Sequence, residues 1–328
     1  MKTIFKKILP DFVLKLLRLF KSYSIKKTRQ LVERLGFNIS RTSDFYSPLP
    51  TESKIKKNEN RWNRASSMTG IAYDLESYKA LLKNLISKYL IEYDSLPTYE
   101  ENKSIGFGPG YTELDAFVLY AMIRNIKPKK YFEVGSGLST YYCSLAAKEN
   151  AKNGESLKIK CIEPYPFEKL HSIQNIEVIK DEVQNVEKNS FLELEADDIL
   201  FIDSSHVVKI DGDVPFLFLE ILPVLKEGVI VHIHDIPFPF NTPYPAEHWI
   251  LGKTRTSSNW PVYWNEAMLL QAFLAFNYNY EIIMSAPLIR YYDEEFLKIN
   301  IPFYKSIEQE PNTFSSIWLR RTKRVRTD

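Results

Sequence analysis

From Lys130 to Thr140 the chain reads KYFEVGSGLST, an apolar strand that runs into two glycines and directly into a helix. A strand buried on both faces of a parallel sheet needs a near-continuous apolar run, and a ligand at its carboxyl end needs backbone without side chains in the way. Gly135 and Gly137 supply that backbone. The stretch therefore predicts an α/β fold with a binding turn of nucleotide type. A glycine pair is weak evidence by itself, so the reading depends on polar residues recurring at the ends of later strands.

They recur regularly. A strand Ile159 to Ile162 ends on Glu163, a strand Ile176 to Ile179 ends near Asp181, and a strand Ile199 to Ile202 ends on Asp203. A strand Val229 to Ile233 ends on His234 and Asp235. Helices are predicted between them over Ser139 to Glu149 and over Asp213 to Leu225, the latter with Pro215 near its start and Gly228 past its end. This cadence means βαβ units, right-handed crossovers and a parallel sheet. Upstream, helical spacing covers Leu75 to Tyr93, and the loop GFGPGY (106–111) leads into a helix through Asp115 to Ile123 that stops before Pro128. Downstream, the stretch from about 236 to 263 is rich in proline and aromatics and has no period, which predicts a lid or a binding loop. Asn265 is placed to cap a helix Glu266 to Phe276, and Tyr280 to Met284 and Ser316 to Leu319 read as late strands.

A chain of 328 residues can bury one α/β core and carry an extra segment, so residues 71–328 are expected to form the main domain and residues 1–70 a basic helix with a linker or wrapping arm. The net charge of +2 conceals basic ends, from Lys2 to Arg34 and from Arg320 to Arg326, around an acidic middle. Cys143 and Cys161 fall inside predicted elements, which suggests core thiols of a reduced, cytoplasmic chain rather than a disulfide framework. From Pro10 to Phe20, apolar Phe12, Val13, Leu16, Leu17, Leu19 and Phe20 recur at helical spacing beside Lys15 and Arg18. The functional reading of that helix is peripheral contact with the inner face of an anionic membrane; the alternative is docking on the main domain or a partner subunit. A homo-oligomer is compatible with the sequence. The C-terminal LRRTKRVRTD lacks the interleaved aromatics of RNA readers, which argues against nucleic acid.

The glycine turn narrows the ligand. A dinucleotide site needs a third glycine where the helix packs beside the pyrophosphate, and here that place is Thr140. Glu133 stands inside the motif, where an acid suits a cationic group, and S-adenosylmethionine carries both an ammonium and a sulfonium. Glu163 offers two acceptor oxygens for a ribose diol, which fits NAD equally. Asp181, Glu182 or Val183 would lie by the adenine.

With these motifs in hand, EVGSGLST, CIEPYP, ILFIDSSH and VIVHIHD resemble the successive motifs of class I S-adenosylmethionine-dependent methyltransferases, and GFGPGY, LDAFVLYAMIR and WNEAMLLQAFL resemble patterns of a bacterial branch of that family. The resemblance runs from about Phe45 to Met284. It implies a Rossmann-like, seven-stranded, mostly parallel sheet with helices on both faces and one antiparallel strand near the C-terminal edge. By motif match it assigns donor binding to Glu133, Gly135, Gly137 and Glu163, with Asp181 a looser match. It also implies that the strand ends bearing Asp203 and His206, and His234 and Asp235, lie together beside the transferred methyl.

Methyl transfer is an in-line displacement that needs a positioned, deprotonated nucleophile, and a divalent ion lowers a hydroxyl's pKa. Asp203 and Asp235 suit Mg²⁺ or Mn²⁺, with His206 or His234 as a further ligand or as the general base. The pattern is similar to metal-dependent O-methyltransferases but departs from them. His234 stands where one acid of a pair is expected, and His206 where some relatives carry a lysine, so metal-assisted and metal-free activation both stay open. His232 reads as a buried strand histidine. Tyr111 and the loop aromatics through Trp264 are expected to stack on an acceptor, a sugar or other small-molecule hydroxyl by analogy with the resembled branch. The rival readings are an NAD-dependent oxidoreductase and a non-catalytic module that keeps the fold.

Overall fold

The computed structural model describes residues 11–40, 45–108, 110–253, 261–310 and 314–323. Expectations that rest on Lys2, Lys6, Lys7, Pro109, Trp260, Arg324 or Arg326, or on the side chains of Phe12, Val13, Leu16, Leu17 and Phe20, lie outside what is described. The chain divides into two compact units, Met1–Trp62 and Asn63–Asp328.

The first unit contains the helix Asp11–Arg34, on which Leu19 and Leu31 are exposed, followed by short helices Glu52–Lys57 and Glu59–Trp62. The sequence predicts no element in that second stretch. Six and four residues are too short to display a helical period, and the first of these helices is started locally by Thr51, whose hydroxyl accepts the Lys54 N–H at 3.3 Å. Among the described residues no helix is long and apolar enough to cross a membrane.

The second unit is built on a seven-stranded sheet of β1 (Lys130–Val134), β2 (Lys158–Ile162), β3 (Ile176–Ile179), β4 (Ile199–Ile202), β5 (Ile230–His234), β6 (Tyr280–Ser285) and β7 (Ser316–Arg321). Their order is β3-β2-β1-β4-β5-β7-β6, with β7 antiparallel to both neighbours. The chain leaves β1 toward β2 on one side and enters β4 on the other, so a crevice opens where the order reverses, at the carboxyl ends of β1 and β4. Register carries the predicted residues to one rim: Val134 pairs with Ile202, Ile202 with Ile233, and His234 with Ser316. Asp203, the residue after β4, donates its N–H to Val134 at 2.9 Å.

The helix Glu113–Ile126 is buried continuously from Leu114 to Arg124, and its one internal cation is answered by Glu92, whose carboxylate takes Arg124 Nε at 2.6 Å and Nη2 at 2.8 Å. The helix Leu138–Ala151 begins at the glycine turn. Two predicted helices differ in detail. From Asp213 the chain makes one α turn to Phe216, widens to π winding over Leu217–Ile221 and tightens to 3-10 over Leu222–Val224. Pro223 has no N–H to give to the preceding turn, so α winding cannot run through it. Asn265 does not cap the helix Glu266–Leu274; its Oδ1 accepts the Val208 N–H at 2.6 Å instead. A helix Ala286–Asn300, absent from the sequence reading, follows β6 without a loop, with Ser285 as its cap and Pro287 in its first turn.

Candidate active site

The glycine turn is organised from beneath by Glu133. This residue is fully buried, and its carboxylate accepts hydrogen bonds from Ser139 Oγ and, at 2.8 Å, from Thr140 Oγ1. Thr140 Oγ1 also accepts the Gly137 N–H at 3.0 Å, so it caps the helix in place of a side chain at position 137. Burial pushes the Glu133 carboxyl up to about 8, against the pull of those hydroxyls. The expected partner of Glu133 was a ligand ammonium; in the structure its oxygens are engaged by Ser139 and Thr140, and the acid holds the turn. Thr140, which the sequence marks only as a missing third glycine, links the two.

Gly135 has φ +98°, and a Cβ there would stand 2.5 Å from the Asp203 carbonyl oxygen. A Cβ at Gly137 would stand 2.9 Å from the carbonyl of Phe107, in the glycine-rich loop. Both glycines are thus set by close backbone approach. Between them Ser136 Oγ is buried without a hydrogen-bond partner among the described residues. Glu163 follows β2, half-buried, with Oε1 accepting the Tyr165 N–H at 2.8 Å. Asp181 is exposed and its Oδ1 closes a local turn onto Glu182 N–H and Asn185 Nδ2. The structure brings Gly135, Gly137 and Glu163 to the carboxyl ends of β1 and β2, whereas Asp181 is occupied by its own loop.

Beside the turn lies a charged cluster. His206 Nε2 stands 3.3 Å from Asp203 Oδ1 and 3.2 Å from Asp235 Oδ2, while Nδ1 is 2.8 Å from Glu266 Oε2. Burial works against a charge on His206, but its bonds to Asp203 and Glu266 and the nearby Asp235 charge outweigh it and push the imidazole up to about 10. Asp203 is held well below the usual carboxylate range, because His234 and His206 overcome the opposing effect of burial. Glu266 is pushed up by burial, and His206 pulls it back only in part. His206 and Asp235 both have left-handed backbone, at φ +58° and +55°, a strained state that tight surroundings must hold. Those surroundings are visible: Asp213 takes the N–H and hydroxyl of Ser205, both at 2.6 Å, and Asn265 takes the Val208 N–H while giving its own to the His206 carbonyl.

His234 completes the cluster from below. Its ring nitrogens lie 3.4 Å from Asp203, 3.6 Å from Asp235 and 3.5 Å from Asp115, too long for ordinary hydrogen bonds but close enough for three carboxylates to raise its pKa well above the usual imidazole range against the effect of burial. Three side chains, Asp203, His206 and Asp235, offer ligand atoms that all lie within 4.8 Å of one another, a spacing that suits one metal ion. His234, which the sequence offers as a further ligand, is not in that set, and its ring is 2 % exposed. His232 is buried in β5 and stacks on Trp318 with centroids 3.9 Å apart.

The two expected acceptor contacts separate. Trp264 packs on His206 with centroids 4.6 Å apart and lines a cleft with Asp235, Tyr244 and Trp249. Tyr111 lies under the site, 3 % exposed, its ring 4.8 Å from His234, so it has no face left for an acceptor ring. Sequence reasoning missed two carboxylates. Asp115 accepts from Thr112, Ser315 and Ser316 and faces His234; Glu266 holds His206. Each sits in the first turn of a helix, where an acid is expected for helix-end reasons alone.

Residues 132–236 match a family model described as a methyltransferase domain. An uncharacterized protein of Archaeoglobus fulgidus is 31 % identical over 163 residues, covering 46 % of this chain and 72 % of its own length. Among solved structures, a putative O-methyltransferase from Klebsiella pneumoniae is 12 % identical with a TM-score of 0.40, covering 76 % of this chain and 99 % of its own. An O-methyltransferase from Bacillus cereus in complex with SAH is 13 % identical with a TM-score of 0.39, covering 76 % of this chain and 100 % of its own.

Proposed function

We propose that this chain is a class I S-adenosylmethionine-dependent methyltransferase and that it methylates a hydroxyl group of a small molecule or sugar at the cluster of Asp203, His206 and Asp235. One observation carries the proposal. Asp203 presents its backbone carbonyl to Gly135 of the donor turn and its carboxylate to His206, so a donor on the turn and an acceptor at the cluster would share a wall.

The donor would rest on the backbone of Gly135 and Gly137, with Ser136 Oγ and Glu163 as its polar contacts. On the acceptor side, four carboxylates (Asp115, Asp203, Asp235 and Glu266) face the imidazoles of His206 and His234. That excess of acid supports a divalent cation held by Asp203, Asp235 and His206 Nε2. Such an ion, when bound, lowers the pKa of a coordinated hydroxyl and fixes it for in-line attack. Glu266 then accepts the His206 Nδ1–H and keeps Nε2 turned toward the carboxylates. Trp264 and the cleft at Asp235 exclude water from one side of the acceptor. Without an ion, His206 carries its own proton at neutral pH, and deprotonation of the hydroxyl falls to the carboxylates around it.

Calorimetric titration tests the reading in two steps. S-adenosylmethionine should bind and NAD should not; NAD binding alone would turn the chain into an oxidoreductase candidate. Mn²⁺ titrated into EDTA-treated protein should bind at one site that Asp203→Asn and Asp235→Asn each abolish. Absence of that site would leave the metal-free route.

Contact with anionic membrane through the helix Asp11–Arg34 also remains a proposal, supported by exposed Leu19 and Leu31 beside Lys15, Lys26, Lys27 and Arg34. Flotation with anionic liposomes should be lost on deleting residues 1–21; equal flotation of the deletion removes it.

A further inference from the structure

A second site is signalled by Arg290, in the helix Ala286–Asn300. Its side chain is only 8 % exposed, yet no described residue forms an ion pair or hydrogen bond with it, and Nη1 is buried without a partner. The carboxylate of Glu294, just past a break in the helix at Asp293, is committed elsewhere: Oε1 accepts the Tyr304 hydroxyl at 2.6 Å and Oε2 lies 3.3 Å from Lys298. What supports the guanidinium is aromatic, with its carbon 4.6 Å from the centroid of Phe314 and 5.3 Å from that of Tyr244. Two rings offset part of the desolvation of a cation, but they leave its N–H donors unused.

Arg290 lines a cavity of about 760 Å³ together with Phe240, Tyr244, Lys298 and Tyr304. The volume suits a ligand of one or two rings. Lys298 is already paired with Glu294 and Glu295, and the lining also holds Glu308, so Arg290 is the lining's cation without an ion-pair partner among the described residues. One planar fork without an ion-pair partner, in a lining that also carries acids, matches a monoanionic, planar carboxylate better than a dianionic phosphate. The cavity also adjoins the cluster described above. Tyr244 lines both this cavity and the cleft at Asp235, and Phe314 is followed directly by Ser315, whose hydroxyl donates to Asp235 Oδ1 at 2.9 Å.

We infer that Arg290 is the anchor for a carboxylate group on the acceptor, so that the substrate class is a ring-bearing hydroxy acid bound by its acid end between Tyr244 and Phe314. The carboxylate site stands on Arg290 and its cavity; the placement of the hydroxyl at Asp235 rests on the methyltransferase reading.

The test uses the full chain and a matched pair of probes, para-hydroxybenzoate and para-hydroxybenzamide, in calorimetric titrations alongside S-adenosylhomocysteine. The acid should bind at least roughly tenfold more tightly than the amide, the gain expected of a charge-assisted pair. Arg290→Met should erase that preference, Arg290→Lys should keep part of it, and S-adenosylhomocysteine should bind all three proteins alike. Equal binding of acid and amide by the unmodified chain, or no binding of either, overturns the inference. So does an undiminished preference in a folded Arg290→Met variant. If that variant fails to fold, the comparison of acid with amide in the unmodified chain decides. An Arg290-dependent preference without S-adenosylhomocysteine binding would sink the methyltransferase reading and leave the carboxylate site; the reverse pattern would do the opposite.

Discussion

Glu266 Oε2 lies 2.8 Å from His206 Nδ1, joining the first residue of the helix Glu266–Leu274 to the loop after β4. The bond fixes which His206 nitrogen is turned toward Asp203 and Asp235. Glu266→Gln keeps an oxygen in place but removes the charge that orients the ring. Mn²⁺ affinity should fall by roughly 10- to 100-fold, the usual effect of losing such an outer partner, while the far-ultraviolet circular dichroism stays unchanged. Unaltered affinity would show that the ring is oriented by packing on Trp264 alone.

Gly135→Ala should cost stability and ligand together. The new Cβ meets the Asp203 carbonyl at 2.5 Å, and the φ of +98° is strained for any L side chain. Urea denaturation should show a loss of about 1–3 kcal/mol, and S-adenosylhomocysteine binding should weaken in the same protein. Gly154→Ala makes a useful control, since φ is also positive there but nothing lies within 4 Å of the added carbon.

Glu133 gives a pH signature. Its folded pKa, about 8, is raised above the ordinary 4.5, so its contribution to stability is fully present below about pH 4.5 and is lost as pH rises through 8. The difference in unfolding free energy between the unmodified chain and Glu133→Gln should therefore drift against the unmodified chain across that window. A flat difference between pH 5 and 8 would mean that the carboxyl is already ionised when folded.

His232 behaves oppositely. Burial holds its pKa well below the usual value, and both ring nitrogens lack hydrogen-bond partners among the described residues. Its contribution is present above about pH 6.5 and lost as pH falls. His232→Phe keeps a ring against Trp318 and removes two unsatisfied atoms, so stability at neutral pH should be unchanged or higher by up to about 1 kcal/mol, with less loss on acidification. A large destabilisation would indicate a polar role for the ring.

The sheet is legible in the sequence because each strand is short, apolar and bounded, and the polar residues after β1, β2, β4 and β5 mark one rim. Asp203, His206 and Asp235 stand at or just after those strand ends, Trp264 comes from the aromatic loop, and the structure brings the four together. Asp115 and Glu266 are not legible in that way, since an acid in a helix's first turn has a sufficient local explanation and nothing in one sequence reveals that it faces a histidine across the sheet. The helix bearing Arg290 was hidden by its direct junction with β6, which leaves no loop to mark a boundary. Tyr111 was misjudged because an aromatic beside a glycine-rich loop reads as exposed, whereas the loop folds over the turn and buries it.

The contact between Gly135 and the Asp203 carbonyl has a consequence for engineering. Grafting a new acceptor loop after β4 cannot be done independently of the turn after β1, because any shift of the 203 backbone is felt at once where the donor would lie. Altered acceptor preference in this chain should therefore be sought farther out, at Trp264, Tyr244 or the walls of the Arg290 cavity, where side chains change without moving that shared strand end.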